Sequence, residues 1–127
     1  MGYLKEGREL DVSVEPRTLR GEVFDIPAVH ARPDGMPRAG VVLHPDMGGL
    51  RPLFDDMARR IATYGLAVCA VEPFAAIPED ERGTIEQRIG HVKDLDDRYQ
   101  LDMLSAAADL LEATARLRRV PGASASA

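Results

Sequence analysis

Two short apolar segments separated by a helical pattern constrain the fold of this chain more strongly than any other feature. Residues 40–44 and 66–71 form continuous, largely apolar runs, which are typical of strands covered on both faces. Between them, residues 52–64 carry an apolar stripe at helical spacing, with Pro52 in the first turn and Gly65 after the last. This order predicts a layered α/β fold with at least one right-handed βαβ unit.

The remaining elements are predicted from local patterns. Residues 9–15 alternate between polar and apolar side chains, as in a half-buried strand, and residues 21–32 form a second strand candidate. Pro27 within that candidate predicts an edge strand or a bulge. Residues 79–97 are highly charged and irregular, with room for a short helix. A last amphipathic helix of about five turns is predicted from apolar residues at spacings of three and four, namely Leu101, Leu104, Ala108, Leu111 and Ala115.

Charge and composition argue against several classes of partner. The 127 residues include 16 basic and 21 acidic side chains, and the net charge of -5 argues against a nucleic-acid surface and against attraction to anionic lipid. The longest apolar run, residues 66–71, is too short for a membrane span, and one cysteine cannot form an intramolecular disulfide. We therefore expect a cytoplasmic protein with no nucleic-acid partner and no membrane partner.

The length predicts one domain, and the character of the sequence changes near its end. Residues 114–127 contain three arginines and no acidic residue, and Pro121 and Gly122 would stop a helix. We therefore predict a single domain over residues 1–115, followed by a disordered tail over residues 116–127.

The loop at residues 45–51 is the most informative segment, because it joins a buried strand to a helix and contains Gly48 and Gly49. Ligand sites in open α/β sheets lie at such carboxyl ends of strands. Glycine lets backbone N–H groups approach an anion, and the N-terminus of the following helix adds a favourable dipole. The plainer interpretation is a strand-to-helix turn, in which glycine serves the backbone and Asp46 acts as a cap.

Two segments carry a resemblance to a known family. Residues 40–50 read Gly-Val-Val-Leu-His-Pro-Asp-Met-Gly-Gly-Leu, and residues 65–75 read Gly-Leu-Ala-Val-Cys-Ala-Val-Glu-Pro-Phe-Ala. With the helix between them, they resemble the N-terminal half of the dienelactone hydrolase family, whose members are α/β-hydrolases. The resemblance covers about residues 20–113 and implies a three-layer α/β-hydrolase-like sheet, truncated before the nucleophile strand. The sequence departs from the family at residues 71–74, Val-Glu-Pro-Phe, where Pro-Asp-Leu-Tyr is typical.

The resemblance implies roles for two residues of the loop. Asp46 matches an acidic residue that lies beside the nucleophile in the family and helps to orient or activate it. The backbone N–H of Met47 matches one donor of the oxyanion hole, which stabilises charge on the substrate carbonyl oxygen. No cofactor and no metal is expected, because helix capping and solvation explain the acidic cluster of Asp94, Asp96 and Asp97.

The other catalytic groups of the family have no match in this sequence. The Gly-x-Cys-x-Gly or Gly-x-Ser-x-Gly elbow, a later Asp and a His would follow the point where the chain stops. Cys69 lies within a buried strand and is interpreted as a small packing residue. His44 is expected to make a local hydrogen bond at a strand end, and His30 and His91 have no obvious partner.

The resemblance implies hydrolysis of a small-molecule carboxylic ester or lactone by a Cys or Ser nucleophile in a full-length form. This chain is then a truncated and inactive part, whether a fragment, a shortened gene product or a frameshifted reading. The alternative function is a non-catalytic α/β module for binding or assembly. Without the nucleophile strand, the strand at residues 41–44 has an unpaired edge, which predicts self-association.

Overall fold

The computed structural model describes residues 4–8 and 11–115, and in these ranges four strands form a mixed sheet of order β1-β2-β4-β3. The strands are β1 (Val12–Arg20), β2 (Asp25–Pro33), β3 (Ala39–Leu43) and β4 (Leu66–Val71). The helices are α1 (Pro52–Ala62), α2 (Ile85–His91) and α3 (Asp97–Ala115), with short 3₁₀ helices at Glu79–Glu81 and Val92–Asp94.

The predicted parallel strand pair with its connecting helix is confirmed. β3 and β4 pair in parallel, with Val41 opposite Val68, and α1 connects them. Pro52 is the first residue of α1, and Gly65 follows the helix with a φ of 83°, a left-handed conformation that glycine adopts without strain. β1 and β2 form an antiparallel hairpin, and β2 pairs antiparallel with β4.

The two faces of the sheet pack against different helices, which produces three layers. Successive residues of β4 point to opposite faces, so Cys69 packs towards α3 whereas Val68 packs towards α1. The smaller cluster, beneath α1, includes Ala58 and Ala62. The larger cluster, beneath α3, consists of Leu19, Ile26, Ala28, Val42, Ala67, Cys69, Val71, Met103, Ala107, Ala108 and Leu111.

The first two strands differ from the predicted ones. β1 continues to Arg20 instead of ending at residue 15, because its whole length pairs with β2. The prediction that Pro27 marks an edge strand or a bulge is wrong, since β2 lies between β1 and β4 in continuous register. Pro27 is tolerated because the pairing with β4 begins only at Ala28, and the Pro27 carbonyl accepts the Glu72 N–H at 2.9 Å.

The charged segment at residues 79–97 contains α2 and both 3₁₀ helices, more helical structure than the sequence predicts. The predicted tail at residues 116–127 lies outside the described residues, as do residues 9 and 10 of the first predicted strand. No helix within the described part of the chain is long and apolar enough to cross a membrane.

β3 lies at one edge of the sheet. Its side opposite β4 has no pairing strand among residues 4–8 and 11–115. The strand contains neither lysine nor proline, and Val41 and Leu43 are only partly buried. Lysine and proline protect the edge strands of natural sheets against pairing with other chains, so this edge is unguarded.

Candidate functional site

The loop between β3 and α1 lies at the carboxyl end of the parallel strand pair. Since β3 and β4 run in the same direction, Leu43 and Val71 end their strands at the same edge of the sheet. An open cleft of about 890 Å³ lies there, lined by most of the loop and by segments that follow β4. Its charged lining residues are Asp46, Arg51, Glu72, Glu79, Arg82 and Arg88.

Asp46 is held in place by its own loop. Its carboxylate accepts hydrogen bonds from Arg51 at 2.7 and 3.1 Å and from the Gly48 N–H at 2.9 Å. The hydrogen bond from Arg51 is the main reason that the pKa of Asp46 lies below its ordinary value. Asp46 is therefore a fixed carboxylate, ionised at neutral pH, whose side chain is 60% exposed.

The backbone of Met47 lies in a tight turn whose neighbouring amides are occupied. The Gly49 N–H donates to the Asp46 carbonyl at 2.9 Å, and the Gly48 N–H donates to the Asp46 side chain. Within the described residues, the Met47 N–H donates no hydrogen bond, and Met47 is 41% exposed. The structure thus brings Asp46 and Met47 together at the cleft, with one amide available to an oxygen of a ligand.

A buried ion pair between Glu72 and Arg88 borders this loop. Arg88 donates through Nη1 and Nη2 to the two carboxylate oxygens, both at 3.0 Å, and the side chains are 10% (Arg88) and 5% (Glu72) exposed. The carboxylate also accepts the Leu50 N–H at 3.3 Å and the Phe74 N–H at 2.9 Å. In the sequence, Glu72 was noted only as part of the departure from the family at residues 71–74, and the pair was missed. The available signal was an acidic residue directly after a fully apolar strand, where burial requires a partner.

Arg88 reaches Glu72 from α2, whose N-terminus is fixed. Thr84 and Gln87 form a capping box, in which the Gln87 N–H donates to Thr84 Oγ1 at 3.1 Å and the Thr84 N–H donates to Gln87 Oε1 at 3.0 Å. Arg88 Nε also donates to the Arg82 carbonyl at 2.9 Å. Burial raises the pKa of Glu72, but the hydrogen bonds from Arg88 and from backbone amides outweigh burial and hold that pKa below its ordinary value.

Cys69 is a packing residue, as predicted. Its side chain is fully buried in the cluster beneath α3. Burial raises the pKa of the thiol to about 12, although the charge of Arg17 acts in the opposite direction. Because the thiolate is the nucleophilic form, Cys69 is unreactive in this fold.

Two predictions about histidines are wrong. Within the described residues, the His44 side chain makes no local hydrogen bond, and its Nε2 lies 2.9 Å from Oε1 of Gln100, on α3. His91, for which no partner was expected, has its Nδ1 at 3.0 Å from a carboxylate oxygen of Asp94. His30 is buried in β2 and does not line the cleft.

The acidic cluster before α3 includes a helix cap, as predicted, because Asp96 Oδ1 accepts the Arg98 N–H at 2.8 Å. Among residues 4–8 and 11–115, no three His, Cys, Asp or Glu side chains are grouped so that they could hold a metal ion.

Comparison with known proteins identifies similar solved structures, whereas no family model and no curated protein matches the chain. The sequence is 20% identical to a dienelactone hydrolase-like promiscuous phosphotriesterase from metagenomic libraries, with a TM-score of 0.66 over 85% of this chain and 46% of that chain. It is 22% identical to a protein described as a candidate dienelactone hydrolase from Klebsiella pneumoniae subsp. pneumoniae, with a TM-score of 0.60 over 83% and 44%. A cold-adapted esterase from an Arctic intertidal metagenomic library is 19% identical, with a TM-score of 0.60 over 86% and 48%.

At such identities the likeness is one of fold. The chain spans about half the length of the structures it matches, from 44% of one to 48% of another. The protein therefore has the α/β fold of dienelactone hydrolase-like structures over about 45% of their length, consistent with the N-terminal half that the sequence predicts.

Proposed function

We propose that this chain supplies the oxyanion-binding part of a hydrolase of the dienelactone hydrolase family, which acts on a small-molecule carboxylic ester or lactone. The observation that carries the proposal is the Met47 N–H, which donates no hydrogen bond within the described residues and lies at the carboxyl end of β3, beside ionised Asp46. An amide in this position can donate to an ester carbonyl oxygen as that oxygen gains negative charge. The fold shared with dienelactone hydrolase-like structures and with an esterase supports the same class of reaction.

In the proposed reaction, a Cys or Ser nucleophile of the full-length form adds to the carbonyl carbon, and the Met47 N–H holds the resulting oxyanion. The alcohol leaves as the carbonyl reforms, and water then releases the acyl group from the enzyme. Asp46 lies beside the nucleophile and orients or activates it. Before substrate binds, Arg51 keeps the Asp46 carboxylate charged and in place.

The 127-residue chain by itself is, in this proposal, a truncated and inactive part of the hydrolase. Among the described residues, no Ser, Thr or Cys side chain is hydrogen-bonded to a histidine, and Cys69 is buried with a thiol pKa of about 12. We expect the chain to hydrolyse p-nitrophenyl acetate no faster than buffer does. A burst of nitrophenol that disappears in Cys69→Ala would contradict both the expected inactivity and the assignment of Cys69.

The function is tested with the coding sequence downstream of codon 114. The proposal expects one reading frame to encode a strand followed by Gly-x-Cys-x-Gly or Gly-x-Ser-x-Gly. In that longer product, Asp46→Ala should lower kcat/KM for an activated ester by about 10²-fold, with an unchanged circular dichroism spectrum. Asp25→Ala, at an exposed acidic residue outside the cleft, is the control and should retain kcat/KM. An unchanged kcat/KM in Asp46→Ala would show that the assignment of Asp46 is wrong.

The second candidate function is a non-catalytic module for binding or assembly, and the unguarded edge of β3 favours it. A chain of this class would use β3 to pair with a strand of another polypeptide, including a second copy of itself. If all three reading frames downstream lack an elbow sequence, this candidate replaces the hydrolase. Both candidates keep the expected cytoplasmic location, which the single cysteine supports.

A further inference from the structure

We propose that the buried Glu72–Arg88 ion pair is the positioning element of the oxyanion loop, defined here as residues 46–50. The pair holds the backbone at Gly49 and Leu50, and through these residues it fixes the position of the Met47 N–H in the turn beside the cleft. This inference rests on the proposed function and extends it to two residues that lie outside the loop. Neither residue touches the reacting atoms, so both act through the loop.

Each guanidinium nitrogen of Arg88 and each carboxylate oxygen of Glu72 takes part in at least one hydrogen bond. Oε1 of Glu72 accepts from Arg88 Nη2 and from the Leu50 N–H, and Oε2 accepts from Arg88 Nη1 and from the Phe74 N–H. The Nε–H of Arg88 donates to the Arg82 carbonyl. A buried ion pair is costly unless its polar atoms are paired in this way, and a pair so complete has a fixed geometry. The carboxylate is therefore a rigid support for whatever backbone it binds.

The loop backbone lies directly against this support. The Leu50 N–H donates to Glu72 Oε1 at 3.3 Å. Gly49 has a φ of 70°, and a Cβ at this position would collide with Arg88 Nη1 and lie 2.5 Å from Glu72 Oε1. Only glycine fits this approach, because both the conformation and the space exclude a side chain. The close contact between the ion pair and the loop therefore depends on glycine at position 49.

The other end of the loop is held by Asp46, whose carbonyl accepts the Gly49 N–H at 2.9 Å. Gly49 is therefore fixed from two sides, and Met47 lies on the turn between these contacts. A shift of Gly49 or Leu50 would rotate the neighbouring peptide units, and the direction of the Met47 N–H would change with them. A misplaced oxyanion donor loses most of its effect, since its geometry must match the transition state.

The length of the Glu72 side chain matters as well as its charge. Glu72 stands where the resembled family typically has aspartate, which is one methylene shorter. Glu72→Asp keeps the charge but shortens the reach to Leu50, whereas Glu72→Gln keeps the length but removes the charge. Glutamine also places an NH₂ donor among four converging N–H donors, which breaks the arrangement.

The experiment measures amide hydrogen exchange and ¹⁵N–¹H spectra of the 127-residue chain. We expect Glu72→Gln and Arg88→Met to accelerate exchange at the Leu50 N–H by about 10- to 100-fold, because each variant weakens the part-buried hydrogen bond of this N–H to a fixed carboxylate. The amide resonances of Met47 and Gly48 should shift in the same variants, while exchange along β4 stays within about twofold. The Leu50 exchange rate of Glu72→Asp should lie between those of the wild type and Glu72→Gln. If the other variants do not fold, the exchange rate of Glu72→Asp tests the proposal alone.

Asp56→Asn is the matched control, because it breaks an exposed ion pair of the same chemistry on α1, where Arg60 Nε lies 2.8 Å from the carboxylate. It should leave the exchange at Leu50 and the Met47 resonance unchanged. Unchanged Leu50 exchange in the Glu72 and Arg88 variants would overturn the proposal. Parallel acceleration at Leu50 and along β4 would also overturn it, because the pair would then serve only global stability. None of these readouts requires ester turnover, so failure here is distinct from failure of the proposed hydrolase activity.

Discussion

At the scale of single residues, His30 couples the stability of the fold to pH. The side chain is 1% exposed, and within the described residues neither ring nitrogen has a hydrogen-bond partner. Burial lowers the pKa of His30, and the charges of Arg32 and Arg17 lower it further, against the opposing effect of Glu15, whose carboxylate lies 3.9 Å away. The folded chain therefore keeps this imidazole neutral under conditions in which the unfolded chain protonates it.

We expect His30→Phe to weaken the dependence of stability on pH. Because the folded-state pKa is lowered, the free energy of unfolding is at its full value above about pH 6.5 and decreases as the pH falls below it, by up to about 1.4 kcal/mol per pH unit. Phenylalanine removes the titrating ring, so the decrease between pH 7 and pH 5 should become smaller. Urea unfolding at both pH values measures the change. His44→Phe, at an exposed histidine, is the control, and an unaltered decrease in His30→Phe would contradict the prediction.

At the residue scale, the sequence could supply only local signals, and the roles of Asp46 and Met47 stay predictions. Asp46 and Met47 belong to one short motif between a strand and a helix, and the structure brings them together at the cleft. The partner of Glu72 could not be found in this way, because Arg88 lies 16 residues further along the chain, in a segment without a regular pattern. A buried carboxylate requires a nearby cation, but the sequence alone does not identify the cationic side chain that pairs with it.

At the scale of elements, boundaries set by local sequence were predicted correctly, and boundaries set by contacts between distant segments were not. β3, α1 and β4 could be predicted because their periodicity and their flanking Pro52 and Gly65 are encoded within each segment. β1 and β2 could not be delimited, since pairing between the strands, rather than composition, extends β1 to Arg20. The position of Pro27 in an inner strand follows from sheet order, which is a property of the whole sheet.

One side chain on α3 connects the carboxyl ends of the two parallel strands. Gln100 Oε1 lies 2.9 Å from His44 Nε2, which follows β3, and Gln100 Nε2 donates to the Pro73 carbonyl, which follows β4, at 2.8 Å. The helix thereby ties together the carboxyl ends of the two parallel strands. This link involves sequence separations of 56 and 27 residues, so no local pattern could predict it.

At the scale of the whole molecule, the sheet is unevenly protected. β2 and β4 are paired on both sides, whereas β1 and β3 each have one free side within the described residues. β1 contains Pro16 and charged residues, and β3 contains neither proline nor a charged residue. The segment Ala39–Leu43 is apolar, and α3 packs over β3 with Leu101 60% exposed on its surface. An apolar strand edge and an exposed apolar side chain on the helix that packs over that strand both favour association with another polypeptide.

We therefore predict that the 127-residue chain self-associates through β3, and that a charge placed on this edge weakens the association. Ala39 is exposed at the start of β3, so Ala39→Lys adds a guard of the kind that natural edge strands use. Sedimentation velocity across a concentration series should show oligomers of the wild-type chain, with the midpoint of association raised at least about tenfold in Ala39→Lys, equivalent to about 1.4 kcal/mol. Ala113→Lys, at an exposed alanine on α3, adds the same charge elsewhere and should leave the midpoint unchanged. A monomeric wild-type chain with a cooperative, reversible thermal unfolding transition would contradict this prediction. Equal effects of the two lysine substitutions would show that the interface does not lie at β3.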